Sequence, residues 1–220
     1  MEKDNFILFG DSASKYLFIQ LVDEHDMELM DSEAVALQEL AGHTNWCIAA
    51  VPVDDWNRDL TPWRAEPVFG KQGFGDGAPE TLGNLTNRII PAIERQYPMP
   101  DRQYVLCGYS LAGLFALWAA YQTDRFAGIV AVSPSVWYRD WLHYAGQHTI
   151  QALKVYLSLG DREEKAKNPV MASVGNAIRE QYRMLADVGV RCQLDWNPGN
   201  HFADSDRRMA KGLAWMRREL

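Results

Sequence analysis

The chain has 220 residues, of which 47% are hydrophobic and 23% charged, close to the averages of soluble globular proteins. This composition excludes disordered, collagen-like and coiled-coil chains, and the length fits one domain over residues 1–220 with a full core. The 22 basic and 29 acidic side chains give a net charge of −7. Such a chain repels phosphate backbones, so we expect no nucleic-acid partner.

Three further features bear on where the chain works. Residues 1–12 combine early acids with a short apolar run, unlike a signal peptide, and no window offers about 18 uninterrupted apolar residues. The cysteines Cys47, Cys107 and Cys192 are odd in number and lie in apolar runs, which predicts free thiols rather than a disulfide. We therefore expect a cytoplasmic protein that does not enter a membrane.

Short apolar runs alternate with longer helical patterns, which predicts an α/β protein with a mostly parallel sheet. At the start, Phe6–Phe9 and Tyr16–Val22 bracket a Gly10-Asp11-Ser12 turn signal, and this arrangement predicts an antiparallel hairpin. Later runs predict buried strands at Trp46–Val53, Tyr104–Cys107, Gly128–Val132 and Lys154–Leu159, followed by a last strand at Val190–Trp196.

Helices are predicted between these strands. Leu82, Leu85, Ile89, Ile93 and Tyr97 share one helical face, but Pro91 predicts a kink or a later start. The remaining helical patterns cover Leu111–Tyr121, Val170–Leu185 and residues 204–220.

The connection over residues 54–79 is longer than an ordinary loop and carries two tryptophans and two phenylalanines. Loops of this length in compact domains are usually functional. We therefore expect residues 54–79 to lie on the substrate side of the protein.

The segment from Gly108 to Gly113, Gly-Tyr-Ser-Leu-Ala-Gly, lies where a buried strand is followed by an apolar helix. A nucleophile elbow needs this context, with small residues two before and two after the serine so that the strand and helix backbones can approach. Ser110 is the candidate nucleophile, and Gly108 and Ala112 are the small residues. The amide of Leu111, at the helix start, is the first candidate oxyanion donor.

A serine nucleophile needs a base. In α/β proteins with a nucleophile elbow, the catalytic residues follow one another along the chain in the order serine, acid, histidine. Of five histidines, His201 follows the last predicted strand, directly after Asn197-Pro198-Gly199-Asn200, and is the candidate base. Three carboxylates follow the preceding strand. Glu163 is the first choice because Gly160 to Glu163 has G-x-x-D/E spacing; Asp161 is second and Glu164 third.

Other site chemistries are not predicted. The sequence has no G-x-x-x-x-G-K-[ST] pattern and no correctly placed G-x-G-x-x-G. Its histidines, cysteines and carboxylates also lack the spacing of a closed zinc site or an EF-hand. We expect no metal and no cofactor.

Taken together, these motifs resemble the esterase family of α/β-hydrolases that includes enterochelin-esterase-like proteins, esterase D and feruloyl esterases. The resemblance rests on Gly108–Leu117, Ser133–Trp137, Gly160–Glu163 and Gly199–His201, and it covers nearly the whole chain. It implies an α/β-hydrolase fold, with a mostly parallel sheet and helices on both faces. Residues 57–62, Asn-Arg-Asp-Leu-Thr-Pro, are similar to the R-D-x-T-P stretch of siderophore esterases, although Trp56 stands where those enzymes often carry a basic residue.

The resemblance also implies residue roles. Ser110 is then the nucleophile, His201 the base, and Glu163 or Asp161 the residue that orients His201. Leu111 supplies one oxyanion donor, and the second comes from the Asp23-Glu24-His25-Asp26 loop, with His25 the chosen candidate. Candidate substrate-binding residues are Trp56, Arg58, Trp63, Tyr109 and Trp137, and Phe69 and Phe74 are further candidates for the pocket wall.

The sequence thus predicts a cofactor-independent hydrolase that cleaves a small-molecule carboxylic ester through an acyl-enzyme, with siderophore-type esters as one option. Two alternatives stay open. The same three residues could serve an acyltransferase or thioesterase, or the fold could be catalytically silent and act as a binding module.

Overall fold

The structure is a computed structural model and describes residues 6–42, 45–68 and 70–220. Phe69, one of the predicted pocket aromatics, lies outside the described residues, as do the first five residues of the chain. A seven-stranded sheet forms the centre. Its strands are β1 (Ile7–Gly10), β2 (Tyr16–Val22), β3 (Cys47–Pro52), β4 (Gln103–Tyr109), β5 (Gly128–Val132), β6 (Lys154–Gly160) and β7 (Arg191–Asn197).

The described helices pack on both faces of this sheet and form two apolar cores, one on each side. Within the described part of the chain, no helix is long and apolar enough to cross a membrane. The α-helices are α1 (Glu24–Ala41), α2 (Trp56–Asp59), α3 (Ala78–Asn84), α4 (Ile90–Gln96), α5 (Ser110–Gln122), α6 (Trp141–Gln147), α7 (Pro169–Ala172), α8 (Val174–Asp187) and α9 (Ser205–Glu219).

The strand order is β1-β3-β2-β4-β5-β6-β7. Every neighbouring pair is parallel except β1 and β3, which confirms the predicted mostly parallel sheet. The central strands are buried almost throughout, since both of their faces are covered by helices. The predicted strand positions are confirmed to within a few residues.

The predicted hairpin between the first two strands is wrong. β1 pairs antiparallel with β3, from Ile7 opposite Ala50 to Gly10 opposite Cys47, and β2 pairs parallel with β3 and with β4. The reason is burial: β2 is apolar on both faces and takes an interior place, whereas β1 is partly exposed and lies at the edge. After Gly10 the chain therefore crosses the amino end of β3 to reach β2 on its other side.

The helix interrupted by Pro91 continues through one π-helical turn over Leu85–Ile89. The Ile90 amide donates to the Leu85 carbonyl, five residues back, so the wide turn directly precedes Pro91 near the start of α4. The predicted helix over Val170–Leu185 is divided into α7 and α8 at Ser173. The long connection over residues 54–79 contains α2 and a short antiparallel bridge between Ala65 and Phe74.

Six of the strands, β2 to β7, run in the same direction, so their carboxyl ends meet at one edge of the sheet. In open α/β sheets, ligands bind at this edge. The loops that follow β4, β6 and β7 here carry the serine, carboxylates and histidine singled out in the sequence.

Candidate active site

Ser110 lies at a sharp turn between β4 and α5, with a φ of 56°. A positive φ at a non-glycine residue is strained, and the fold maintains it by close packing on both sides. A Cβ atom at Gly108 would lie 2.3 Å from the backbone carbonyl carbon of Ala112. A side chain at position 108 would therefore clash with α5, and the turn has the backbone geometry of the nucleophile elbow that the motif predicts.

Three side chains from three loops form one hydrogen-bonded chain at this edge. His201 Nε2 lies 3.0 Å from Ser110 Oγ, and His201 Nδ1 lies 2.7 Å from Glu163 Oε2. Both distances are within hydrogen-bond reach, which proton transfer between neighbouring groups requires. The Glu163 side chain is only 5% exposed and the His201 side chain 23% exposed. The hydrogen-bonded chain of Ser110, His201 and Glu163, called the relay below, is therefore shielded from solvent at Glu163.

The second carboxylate oxygen of Glu163 is also fully engaged. Oε1 accepts hydrogen bonds from the Gly160 amide at 2.7 Å and from Ser133 Oγ at 2.6 Å, and it lies 3.3 Å from the guanidinium of Arg208. Burial by itself would raise the pKa of Glu163, but the hydrogen bond and charge of His201, with the Ser133 and Gly160 donors, hold this pKa below its usual value. Glu163 is thus an ionised carboxylate facing a histidine.

The two alternative carboxylates have other partners. Asp161 Oδ1 accepts from the Gly199 amide at 2.9 Å, which ties the β6 loop to the β7 loop. Glu164 forms an ion pair with Arg179 at 2.9 Å. The structure therefore brings Glu163 to His201 and places Asp161 and Glu164 beside the relay.

Two helix N-termini lie next to Ser110. Leu111 is the second residue of α5, His25 is the second residue of α1, and both line the cavity around the serine. Asp23 caps α1 by accepting from the Asp26 amide at 2.8 Å. Because the first amides of a helix have no acceptor within it, these termini provide N–H groups on the substrate side of Ser110.

A family model described as "Putative esterase" matches residues 35–201, more than half of the chain. The chain belongs to this esterase family. The ferri-bacillibactin esterase BesA of Bacillus subtilis is 27% identical over 205 residues, covering 81% of this chain and 71% of that protein.

Solved structures share the fold. An IroE-like serine hydrolase from Shewanella oneidensis superposes with a TM-score of 0.78 at 18% identity, covering 97% of this chain and 75% of that chain. The siderophore hydrolase EstA from Aspergillus nidulans gives 0.70 at 20% identity, covering 95% and 84%. The protein is thus an esterase with the α/β-hydrolase fold, as the sequence predicts.

A cavity of about 720 Å³ opens above Ser110 in this esterase, within the range of small-molecule sites. Aromatic side chains of Trp56, Trp137 and Phe202 line it, and so do three exposed basic residues, Arg162, Lys165 and Lys167. Phe202 follows His201 directly and is 84% exposed, so it packs little against the protein itself. The cavity therefore offers aromatic surface and positive charge close to the serine.

Asp26 is an acidic group in the same cavity. Burial and the neighbouring Asp23 raise the pKa of Asp26 to about 6, against the opposing effects of His25 and His201. As the pH rises through about 6, Asp26 therefore ionises and adds a negative charge to the cavity.

Two predicted substrate-binding residues are not among the cavity lining. The Arg58 side chain is 58% exposed and pairs with Asp59 at 2.7 Å. Trp63 donates from Nε1 to the Arg139 carbonyl at 2.9 Å and its ring packs on Tyr144. Phe74 is buried against Tyr138.

The stretch that resembles siderophore esterases also has a structural use. Thr61 Oγ1 donates to the Asn57 carbonyl at 2.5 Å and lies 3.1 Å from the Gly75 carbonyl, so it holds the two ends of the long loop together. Trp56 lines the cavity as predicted, and Arg58 does not.

Tyr109 lines the cavity, and its hydroxyl donates to the His201 carbonyl at 2.7 Å. It therefore also ties the histidine loop to the elbow. Sequence reasoning missed Ser135, whose Oγ lies 3.5 Å from Ser110 Oγ, together with Ser133, Phe202 and Arg208. The two serines lie within a motif on which the resemblance rests. For Arg208 the sequence held one signal of a buried role, which is a charged residue among the apolar residues of the last helix.

Proposed function

We propose that this esterase hydrolyses a small-molecule carboxylic ester through an acyl-enzyme on Ser110, with His201 as general base and acid and Glu163 as the residue that orients His201. The observation that carries this proposal is the continuous chain from Ser110 Oγ through both ring nitrogens of His201 to Glu163 Oε2, with steps of 3.0 and 2.7 Å. All three residues line the cavity, and such a hydrogen-bonded chain activates a serine for acyl transfer.

In the first half-reaction, Ser110 Oγ attacks the ester carbonyl carbon and its proton passes to His201 Nε2. The carbonyl oxygen becomes an oxyanion, which the Leu111 amide and an amide of the first turn of α1, assigned to His25, stabilise. When the C–O bond of the ester breaks, the leaving alkoxide takes the proton from Nε2 and departs as an alcohol. Glu163 fixes the ring with its Nδ1 proton toward Oε2 and stabilises the imidazolium.

In the second half-reaction, water replaces the alcohol. His201 Nε2 takes a proton from the water as its oxygen attacks the acyl carbon, and it returns that proton to Ser110 Oγ when the acyl-enzyme bond breaks. The products are the carboxylic acid and the free serine. Hydrolysis rather than transfer follows if water is the acceptor that reaches the cavity.

For the substrate, we propose an ester of siderophore type. Support comes from two relatives, a ferri-bacillibactin esterase and a siderophore hydrolase, and from the cavity itself. Siderophore esters that carry acidic aryl groups match a cavity whose lining includes both aromatic side chains and the basic residues Arg162, Lys165 and Lys167.

The decisive experiment is labelling with a fluorophosphonate probe followed by peptide mass spectrometry. We expect one modified residue, Ser110, and loss of labelling in His201→Ala although the variant remains folded. Labelling at another residue, or none in the folded protein, would contradict the proposed role of Ser110 and favour a silent binding fold.

A panel of esters then addresses the substrate class. We expect turnover of catechol-bearing oligoesters at a higher kcat/KM than simple alkyl esters. Adding an excess of an alcohol or thiol separates hydrolysis from acyl transfer, because a transferase would form the new ester or thioester in place of the acid.

A further inference from the structure

Arg208 is a buried cation whose role the acyl-transfer chemistry leaves unassigned. It lies in the first turn of α9, four residues into the helix, and is 3% exposed. Arginine is almost never buried this fully unless it is paired. Its contacts therefore define its role.

The guanidinium reaches both the acid and the histidine loop. One terminal nitrogen, Nη1, lies 3.3 Å from Glu163 Oε1, 3.2 Å from the Tyr109 hydroxyl and 3.5 Å from Ser133 Oγ. The other, Nη2, donates to the carbonyls of Pro198 at 2.8 Å and Asn200 at 3.0 Å. These two carbonyls flank Gly199, and the second belongs to the residue directly before His201.

We propose that Arg208 is the positioning residue of the esterase, holding the carboxylate of Glu163 and the backbone of the His201 loop in one geometry. This inference rests on the proposed function of Ser110, His201 and Glu163. Arg208 does not touch the reacting atoms; it acts through the acid and through the loop.

Arginine suits this role because its planar fork presents donors in fixed directions. One end of the fork pairs with a carboxylate while the other bridges two carbonyls, so the distance between the acid and the histidine backbone is set by a rigid group. A lysine ammonium carries the same charge but is one point on a flexible stem, and it cannot span both sets of acceptors. Tyr109 supports the same loop from the elbow side through its bond to the His201 carbonyl.

The test compares Arg208→Met and Arg208→Lys with Arg207→Met as the matched control, since Arg207 is an exposed arginine in the same turn of α9. For Arg208→Met we expect kcat to fall about 100-fold while KM changes by less than about threefold, because misplacement near 1 Å is enough to cost this factor. Arg208→Lys should recover part of kcat, and Arg207→Met should match the wild type.

A pH profile separates positioning from a merely structural role. In Arg208→Met, the acidic limb of kcat/KM should move to higher pH, because the His201 ring and the Glu163 charge then lack a second cation beside them. Asp26, the other titratable group whose charge acts on His201, is unchanged in every variant compared. Arg207→Met should leave this limb in place. A variant that had only lost stability would show the wild-type limb at reduced melting temperature.

The inference is overturned if folded Arg208→Met keeps kcat within about threefold of the wild type with an unchanged profile. If Arg208→Met fails to fold by circular dichroism, Arg208→Lys decides: a wild-type kcat in that variant also overturns the inference. Ser110→Ala is run in parallel. Activity that survives Ser110→Ala refutes the proposed function itself, whereas loss in Ser110→Ala with wild-type activity in both Arg208 variants refutes only the role of Arg208.

Discussion

At the residue scale, a short stretch after β6 offers three carboxylates, and each of them has a different partner. Asp161 is held by the Gly199 amide, Glu164 pairs with Arg179 at the surface, and Glu163 turns inward to His201. Glu163 also receives the Gly160 amide, three residues earlier. The G-x-x-E spacing therefore works because the glycine amide and the carboxylate meet within one turn.

We predict that Glu163→Gln lowers kcat by about 10³- to 10⁴-fold, because an amide in this position supports the wrong imidazole tautomer and cannot stabilise the imidazolium. Asp161→Asn should lose less than about tenfold, since its amide oxygen still accepts from Gly199. Steady-state kinetics on one ester substrate checks both. A larger loss in Asp161→Asn would show that the acid has been misassigned.

We predict that Gly108→Ala destabilises the protein by about 1–3 kcal/mol or more, the range of overpacking in a core. Its Cβ would lie 2.3 Å from a backbone atom of Ala112, and either the elbow or α5 must shift. Gly83→Ala is the control: the nearest atom to its Cβ would be Asn87 Nδ2 at 3.9 Å, and alanine within α3 should add about 0.5–1 kcal/mol. Urea unfolding measures both, and equal stabilities would contradict the packing argument.

At the element scale, α1 and α5 both begin beside Ser110, and their starts have different causes. α5 begins at the strained elbow without a side-chain cap, whereas α1 begins with Asp23 as its cap. The position of the α1 amides next to the cavity therefore depends on one carboxylate. A change at Asp23 should affect both the helix and the reaction.

Asp23→Ala should lower the free energy of unfolding by about 1 kcal/mol, the usual cost of a lost N-cap, and kcat should fall about tenfold as the first turn of α1 frays. Asp23→Asn keeps a capping oxygen and should stay close to the wild type in stability. Thermal unfolding together with kcat for the two variants checks this. Equal losses in Asn and Ala would assign the effect to charge instead of capping.

The sequence was sufficient for elements whose signals are local. Runs such as Gly128–Val132 and the strand-to-helix context of Ser110 depend on burial and turn chemistry close in the chain, and the structure places them as predicted. The partner of β1 was not predictable, because a Gly-Asp-Ser turn reports that the chain reverses and not which strand it then pairs with. Arg208 was missed for the same reason: its acceptors lie in other elements, up to 99 residues away at Tyr109.

At the scale of the whole molecule, a second buried carboxylate lies away from the relay. Glu33, on α1, is 3% exposed and its Oε2 accepts from Gln20 Nε2 at 2.9 Å. Burial raises the pKa of Glu33 to about 8, with the Gln20 hydrogen bond opposing this effect. Between about pH 4.5 and about pH 8, the folded protein therefore keeps a proton on Glu33 that the unfolded chain, with the ordinary pKa of 4.5, has lost.

Because the unfolded state binds fewer protons over this range, stability contributed by neutral Glu33 falls as pH rises from about 4.5 to about 8, at up to about 1.4 kcal/mol per pH unit. Glu33→Gln should flatten the fall, since the amide does not titrate. The control Glu28→Gln, exposed on the same helix, should keep the wild-type slope. Urea unfolding at several pH values measures the slopes, and identical slopes in wild type and Glu33→Gln would contradict the argument.

The relay joins Ser110 to a histidine 91 residues further along the chain, after β4, β5, β6 and β7 have aligned side by side. Contacts of such long sequence separation form late, because the entropy of closing the intervening chain must be offset first. Collapsed folding intermediates with most of their helices in place should therefore be inactive. During refolding, recovery of esterase activity should lag behind recovery of helical circular dichroism and report the moment at which the sheet is complete.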